Sequence, residues 1–188
     1  WQSGLTAEKV SRQSEEIGFL QPTENGVYFI NCVDGDRDQM AVWLQRGAGA
    51  SSQITPAQFN VRSRVHEYGG SPYVIAADML FFVNFNDQAL YSIALDEVGF
   101  ANKESNVARQ ITPANSGLRY ADFAFDAFRN RLICVREDHR QVDPGKFSAA
   151  DVRNTLVALA IDSESLIEGD VLFQDSDFVS SPCLSNDN

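Results

Sequence analysis

The sequence predicts an all-β protein, a partial β-propeller of about three four-stranded antiparallel blades plus the start of a fourth. Three observations support this fold class. Short apolar runs of strand length recur between turn signals, similar segments repeat about 50 residues apart, and phenylalanine, a residue favoured in strands, occurs 13 times. A spacing of about 50 residues with four strands in each interval is typical of propeller blades.

The clearest repeat is the tetrapeptide Ile-Thr-Pro-Ala, which occupies residues 54–57 and again residues 111–114. Each copy follows a strand-turn-strand segment of similar composition. Several apolar runs are continuous rather than alternating, as at 80–83 and 132–135. Continuous runs of this length indicate strands that are buried on both faces of a sheet.

Residues 1–188 divide into successive units of the N-terminal portion of one propeller domain. Blade one covers about 14–58, with strands at 17–20, 27–33, 40–45 and 52–55. Blade two covers about 66–114, with strands at 73–77, 79–85, 90–95 and 108–112. Blade three covers about 118–177, with strands at 120–125, 131–137, 155–161 and 171–174. Residues 179–188 are predicted to open blade four, and short helices are predicted at 6–13 and 148–151.

Three blades and a fraction cannot close a ring, because a closed propeller takes about four to eight blades. We therefore expect the sequence to be part of a larger polypeptide. The interrupted ring is expected to expose apolar blade faces, and such faces favour self-association.

The charge balance disfavours two classes of partner. Fifteen Lys and Arg against 26 Asp and Glu give a net charge of -11, which repels nucleic-acid phosphates and anionic lipid headgroups. No apolar run approaches the ~20 residues of a membrane-spanning helix, and no signal peptide is visible.

Cys32, Cys134 and Cys183 lie far apart, which predicts reduced thiols in the cytoplasm rather than disulfides or a zinc site.

The residues that hydrolytic chemistry needs are missing from the sequence. It contains no Gly-x-Ser-x-Gly elbow, and its two histidines, His66 and His139, form no metal-binding pair. Residues 34–38 resemble the start of a calcium loop, but Gln39 and Gln45 replace the glycine and glutamate that such a loop requires. We predict a solvated hairpin turn there, and no catalytic residue, metal site or cofactor in this chain.

Residues 59–70 are the first candidate for a binding site. Apolar or small residues alternate with polar ones from Val61 to His66, so an extended segment would place two guanidinium groups and an imidazole on one side. Two interpretations are open: a polar rim that binds a peptide terminus or a neighbouring domain, and an internal Arg-to-Glu ion-pair network that locks blade two to blade one. The candidate residues are Arg62, Arg64, His66, Glu67 and Tyr68.

The second candidate lies where an apolar strand of blade three ends. Arg136, Glu137 and His139 place polar groups at the edge of the blade. A solvated strand end and a contact with a partner domain or a substrate are both compatible with this pattern.

Six blocks resemble segments of the N-terminal propeller in the prolyl oligopeptidase family of serine peptidases, in the branch of the dipeptidyl aminopeptidases and acylaminoacyl peptidases. His-Glu-Tyr-Gly-Gly at 66–70 and Arg-Glu-Asp-His at 136–139 carry most of the resemblance. The blocks lie at 59–70, 83–91, 119–123, 130–139, 154–159 and 180–185.

The resemblance implies a propeller of about seven blades that caps an α/β-hydrolase domain, whose Ser, Asp and His perform the chemistry. None of those three residues lies in this sequence, so the chain alone is expected to be inactive. The propeller is implied to dock the hydrolase domain and to admit only short peptides. Propeller acids hold the substrate's amino terminus in aminopeptidase relatives, which makes Glu67 or Glu137 a candidate anchor.

Two other classes remain as alternatives. One is a non-enzymatic propeller module that binds a protein partner, similar to WD-repeat or Tol propellers. The other is a propeller enzyme with its site in the central channel, which would require convergent carboxylates or a metal cluster. A downstream Gly-x-Ser-x-Gly elbow followed by Asp and His would separate the peptidase from both.

Overall fold

The strands predicted from the apolar runs are present in the computed structural model, which describes residues 17–101, 107–141 and 152–185. The strands are β1 (Gly18–Thr23), β2 (Gly26–Val33), β3 (Asp36–Gln45), β4 (Ser52–Gln53), β5 (Tyr73–Ala76), β6 (Met79–Val83), β7 (Leu90–Ala94), β8 (Arg109–Gln110), β9 (Leu118–Asp126), β10 (Arg131–Asp138), β11 (Arg153–Ala160) and β12 (Asp170–Phe173). The helices predicted at 6–13 and 148–151 lie outside the described residues.

The strands form three antiparallel sheets of four, in the orders β1-β2-β3-β4, β5-β6-β7-β8 and β9-β10-β11-β12. We refer to these sheets as blades one, two and three. Strands that are consecutive in the chain pair with each other in each blade, as in the hairpin that joins β2 to β3. Asp34 and Gly35 turn that hairpin with φ of 51° and 79° and are exposed, so the solvated turn predicted at 34–38 is confirmed.

The two Ile-Thr-Pro-Ala copies have the same role in blades one and two. The Thr55 hydroxyl accepts a hydrogen bond from the backbone N–H of Val42, at 3.1 Å. Thr112 accepts the equivalent bond from the N–H of Leu90, at 2.8 Å. Both threonines follow the short outer strand and fix it to the third strand of the blade, so the sequence repeat is also a structural repeat.

Blade two lies between its two neighbours and is buried on both faces. Leu80 and Phe82 of β6 pack against blade one, whereas Phe81 and Val83 pack against blade three. Successive side chains of a strand point to opposite faces, so each neighbour receives alternate residues. This arrangement explains why the apolar run at 80–83 is continuous.

The predicted opening strand of blade four does not form within the described residues. Residues 180–185 have no strand pairing. They are held instead by blade three, where the backbone N–H of Ser181 donates to Asp122 Oδ2 at 3.1 Å. No helix in the described part of the chain is long and apolar enough to cross a membrane.

Candidate functional site

The first group of candidate residues lies on the connection from blade one to blade two, residues 54–72, between β4 and β5. Val61, Ser63 and Val65 are buried and alternate with Arg62 and Arg64, which are exposed. The predicted alternation is therefore confirmed for the two arginines.

His66 does not share the exposed side of the segment, and the expectation that it would was wrong. The chain turns after Val65, and both His66 and Glu67 have left-handed φ angles, 58° and 63°. The turn directs the His66 imidazole inward, where only 6% of its side chain is exposed.

Glu137, at the end of β10, is the centre of a buried polar cluster that joins this connection to blade three. Its Oε1 accepts the backbone N–H of His66 at 2.8 Å, and its Oε2 lies 2.9 Å from Nε2 of His139. Burial raises the pKa of the Glu137 carboxyl, but the hydrogen bonds from His139 and His66 outweigh it and hold the pKa below its ordinary value. The carboxylate is charged at neutral pH, with both oxygens occupied.

Burial also corrects the interpretation of this strand end as solvated. Glu137 is 4% exposed and Arg136 is 7% exposed. Arg136 lies apart from the cluster, where its guanidinium donates to the backbone oxygens of Glu168 and Gly169 at 3.2 and 3.4 Å. Arg136 and Glu137 are adjacent in the sequence, but their side chains make contacts with different parts of the structure.

His66 also contacts the residues that follow blade three. Its Nε2 lies 3.2 Å from the backbone oxygen of Val179, its Nδ1 lies 3.3 Å from Oε1 of Glu137, and its ring stacks on Phe178 with a centroid separation of 4.1 Å. Both ring nitrogens therefore face oxygen atoms, one of Glu137 and one of Val179, so the ring links the end of β10 to the residues that follow blade three.

An Arg-to-Glu pair exists in this region, but it joins different elements from those predicted. Arg119 of β9 donates to Oε1 of Glu67 at 2.7 Å and to the backbone oxygen of Arg64 at 3.0 Å. The network therefore fixes the connection to blade three rather than locking blade two to blade one. In the sequence, Arg119 stood out only as part of the block at 119–123, so its role was missed.

The Gly-Gly pair is explained by close packing against blade three. Gly69 has φ of 83°, and a Cβ on it would lie 2.9 Å from the backbone oxygen of Ser63. A Cβ on Gly70 would lie 2.6 Å from Oδ1 of Asp122 and 2.9 Å from Cβ of Ala121. A larger residue at 70 would require the side chains of Asp122 and Ala121 on β9 to shift, so the pair serves the fold.

The remaining candidates, Arg62, Arg64 and Tyr68, face solvent. Both guanidinium groups lie over the ring of Phe85, with Cζ at 4.9 Å and 4.2 Å from its centroid. Tyr68 is 78% exposed. These three residues are therefore accessible to a ligand or another domain, whereas His66 and Glu137 position the segment that carries them.

Comparison with known proteins adds a structural relationship. No protein-family model and no curated protein matches the sequence. A puromycin-hydrolyzing peptidase of Mycobacterium tuberculosis matches the structure with a TM-score of 0.76 and 26% identity, over 100% of this chain and 28% of that one. A puromycin hydrolase matches with a TM-score of 0.77 and 29% identity, over 100% of this chain and 29% of that one.

A mutant of puromycin hydrolase complexed with PGG matches with a TM-score of 0.72 and 27% identity, over 94% of this chain and 27% of that one. The chain thus spans less than a third of the length of these solved proteins. The three-blade fold and the matches along the chain confirm its resemblance to the N-terminal β-propeller of serine peptidases of the prolyl oligopeptidase family.

Proposed function

We propose that this chain is the non-catalytic propeller part of a serine peptidase that cleaves short peptides, and that it gates substrate access and docks the α/β-hydrolase domain. The observation that carries the proposal is the match of the whole chain to less than a third of two puromycin-hydrolysing peptidases, with TM-scores of 0.76 and 0.77. A rigid rim of packed blades excludes large substrates by size, and the buried cluster around Glu137 supports that rim.

The gating role is tested with the full-length protein and two substrates, a short fluorogenic peptide and casein. The wild-type protein should hydrolyse the short peptide and leave casein intact. Asp122→Ala removes the carboxylate that accepts the backbone N–H groups of Ser71 and Ser181, and should increase casein hydrolysis. Asp175→Ala, at an exposed position, is the control. Casein hydrolysis by the wild-type protein at the rate of the short peptide would contradict gating.

The absence of catalytic residues from this chain is tested separately. The isolated chain should turn over no peptide under conditions in which the full-length protein is active, and turnover by the isolated chain would overthrow this division of roles. A panel of puromycin, a dipeptidyl arylamide and an acylaminoacyl arylamide, offered to the full-length protein, distinguishes puromycin hydrolysis from the dipeptidyl and acylaminoacyl activities.

The exposed candidates Arg62, Arg64 and Tyr68 are proposed contacts for the substrate or the hydrolase domain, with Glu67 beside them. Glu67 is also the more accessible of the two proposed amine anchors, because 69% of its side chain is exposed, against 5% for Glu137. Amide hydrogen exchange at 62–68 should be slower in the full-length protein than in the isolated chain. Equal exchange in both would exclude domain docking at this segment.

Self-association of the isolated chain is proposed through the outer strand of blade three. Val171, Leu172 and Phe173 of β12 are 46%, 48% and 42% exposed. Exposed apolar residues next to an unpaired strand edge favour association. Light scattering should show species larger than a monomer as concentration increases, and a strictly monomeric chain would refute the proposal.

We also propose a cytoplasmic location. Cys32, Cys134 and Cys183 are all free in the structure, and thiols persist where the compartment is reducing. Fractionation of cells should recover the full-length protein with the cytoplasmic markers, and recovery with secreted proteins would contradict the proposal.

A further inference from the structure

A small cavity of about 230 Å³ lies between the connection that leaves blade one and the hairpin that joins β2 to β3. Arg37 of the hairpin and Arg62 and Arg64 of the connection line it, together with Tyr68 and Phe85. This volume is below the range of about 300 to 1,000 Å³ that is typical for drug-sized ligands. The cavity therefore suits one terminal residue or one side chain.

The charge of this cavity is opposite to that of the chain as a whole, which has a net charge of -11. Among the described residues, ion pairs form at Arg119, Arg129, Arg131 and Arg140 and at no arginine of the cavity. The one carboxylate that lines the cavity belongs to Glu67, and Arg119 binds it at 2.7 Å. Three arginines consequently line the cavity without a carboxylate partner in this part of the chain.

The arginines of the connection are held in place before any ligand arrives. Phe85 supports the guanidinium groups of both Arg62 and Arg64. The backbone beneath them is fixed, because the N–H of Arg64 donates to Oε1 of Gln88 at 2.9 Å and the N–H of Val61 donates to the backbone oxygen of Met40 at 2.8 Å. Stacking orders the side chains and leaves the edges of the guanidinium planes, which carry the N–H donors, available.

We infer that this cavity binds a carboxylate group of a peptide. A planar guanidinium matches a carboxylate with two parallel hydrogen bonds, and this geometry adds specificity as well as binding energy. The carboxylate is supplied either by the C terminus of the peptide or by an acidic side chain. This inference rests on the proposed function for the identity of the ligand as a peptide, but the cavity and its charges stand without it.

Calorimetric titration of the full-length protein tests the inference without relying on turnover. Three peptides of one apolar sequence are compared: one with a free C terminus, one with an amidated C terminus, and one amidated with a single glutamate. The free acid or the glutamate peptide should bind at least about tenfold more tightly than the neutral amide, since hydrogen bonds to charged groups are the strong ones. Whichever of the two binds more tightly identifies the source of the carboxylate.

The double variant Arg62→Gln/Arg64→Gln should bind all three peptides with the weak affinity of the neutral amide. Arg62→Lys/Arg64→Lys keeps the charge and loses the planar fork, so an intermediate loss is expected. Arg46→Gln/Arg153→Gln, at two exposed arginines outside the cavity, is the control for the loss of two charges. Equal affinity for all three peptides in the wild-type protein, or unchanged selectivity in the glutamine double variant, would overturn the inference. If the wild-type full-length protein showed no peptidase activity but still preferred the carboxylate peptides, that result would contradict only the proposed function.

Discussion

Replacing Glu137 by glutamine is the most direct test of the buried cluster that fixes the candidate segment. The carboxylate accepts the backbone N–H of His66 at 2.8 Å and faces Nε2 of His139 at 2.9 Å. Glutamine preserves the shape and one acceptor oxygen, but it removes the charge and turns an NH₂ donor towards one of these partners. The variant therefore changes the electrostatics of the cluster while leaving its volume almost unchanged.

The expected loss of stability follows from the number of contacts. A hydrogen bond to a charged group contributes about 1.5 to 3 kcal/mol, and breaking a buried ion pair costs about 3 to 5 kcal/mol. Because glutamine retains one acceptor, we expect Glu137→Gln to lower the free energy of unfolding by about 3 kcal/mol. For a chain of this size, that change lowers the melting temperature by about 6 to 12 °C.

Glu67→Gln provides the matched control in the same network. Its side chain is 69% exposed and is paired with Arg119, and an exposed ion pair contributes about 1 kcal/mol or less. Thermal unfolding followed by circular dichroism should therefore separate the two variants clearly. Equal destabilisation by both, or a loss below about 1 kcal/mol for Glu137→Gln, would refute the assignment of Glu137 as the centre of the cluster.

The remaining predictions concern the blade interfaces and the buried thiol. Phe82→Ala should reduce the free energy of unfolding in urea by about 3 to 5 kcal/mol, because Phe82 is fully buried; Phe128→Ala, at a side chain 77% exposed, should change it by less than about 0.5 kcal/mol. Gly70→Ala should cost about 1 to 3 kcal/mol in the same assay, since the added Cβ meets Asp122, and an unchanged midpoint would contradict that contact. Burial raises the pKa of the Cys134 thiol, so a thiol reagent at pH 8 should modify Cys134 only after unfolding, and rapid modification of the native protein would contradict its burial.

The acid sensitivity of the cluster has a defined direction. Because folding lowers the pKa of Glu137 below its ordinary value of 4.5, the stabilisation it provides is fully present above that pH and is lost as pH falls through the lower folded value. The difference in stability between the wild-type protein and Glu137→Gln should thus persist at neutral pH and shrink in acid. A difference that grows below pH 4.5 would contradict this linkage.

Strand positions followed closely from the sequence because burial on both faces leaves a strong pattern. The run at 80–83 and the run at 132–135 are continuous for this reason, and both became strands, β6 and β10. The Ile-Thr-Pro-Ala repeat was equally informative, because its threonine accepts the same backbone hydrogen bond in blades one and two. The strand predicted at 180–185 did not form, since a strand also needs a neighbouring strand, which the local sequence pattern does not describe.

The site was predictable only as far as local alternation extends. Arg62 and Arg64 face solvent as expected, but the turn at His66 depends on two consecutive left-handed residues that are not glycine. The partner that stabilises this turn, Glu137, is 71 residues away in the chain. No spacing rule connects residues at that distance, so the burial of Glu137 and the contribution of Arg119 required the three-dimensional structure.

The alternate packing of β6 limits how blade two can vary. A one-residue insertion or deletion within β6 would exchange Phe81 and Phe82 between two differently shaped surfaces and so misfit both at once. Blade two is also a poor unit for transplantation or deletion, because blades one and three both pack against its side chains. Changes in chain length are tolerated instead in exposed connections such as 46–50, between β3 and β4.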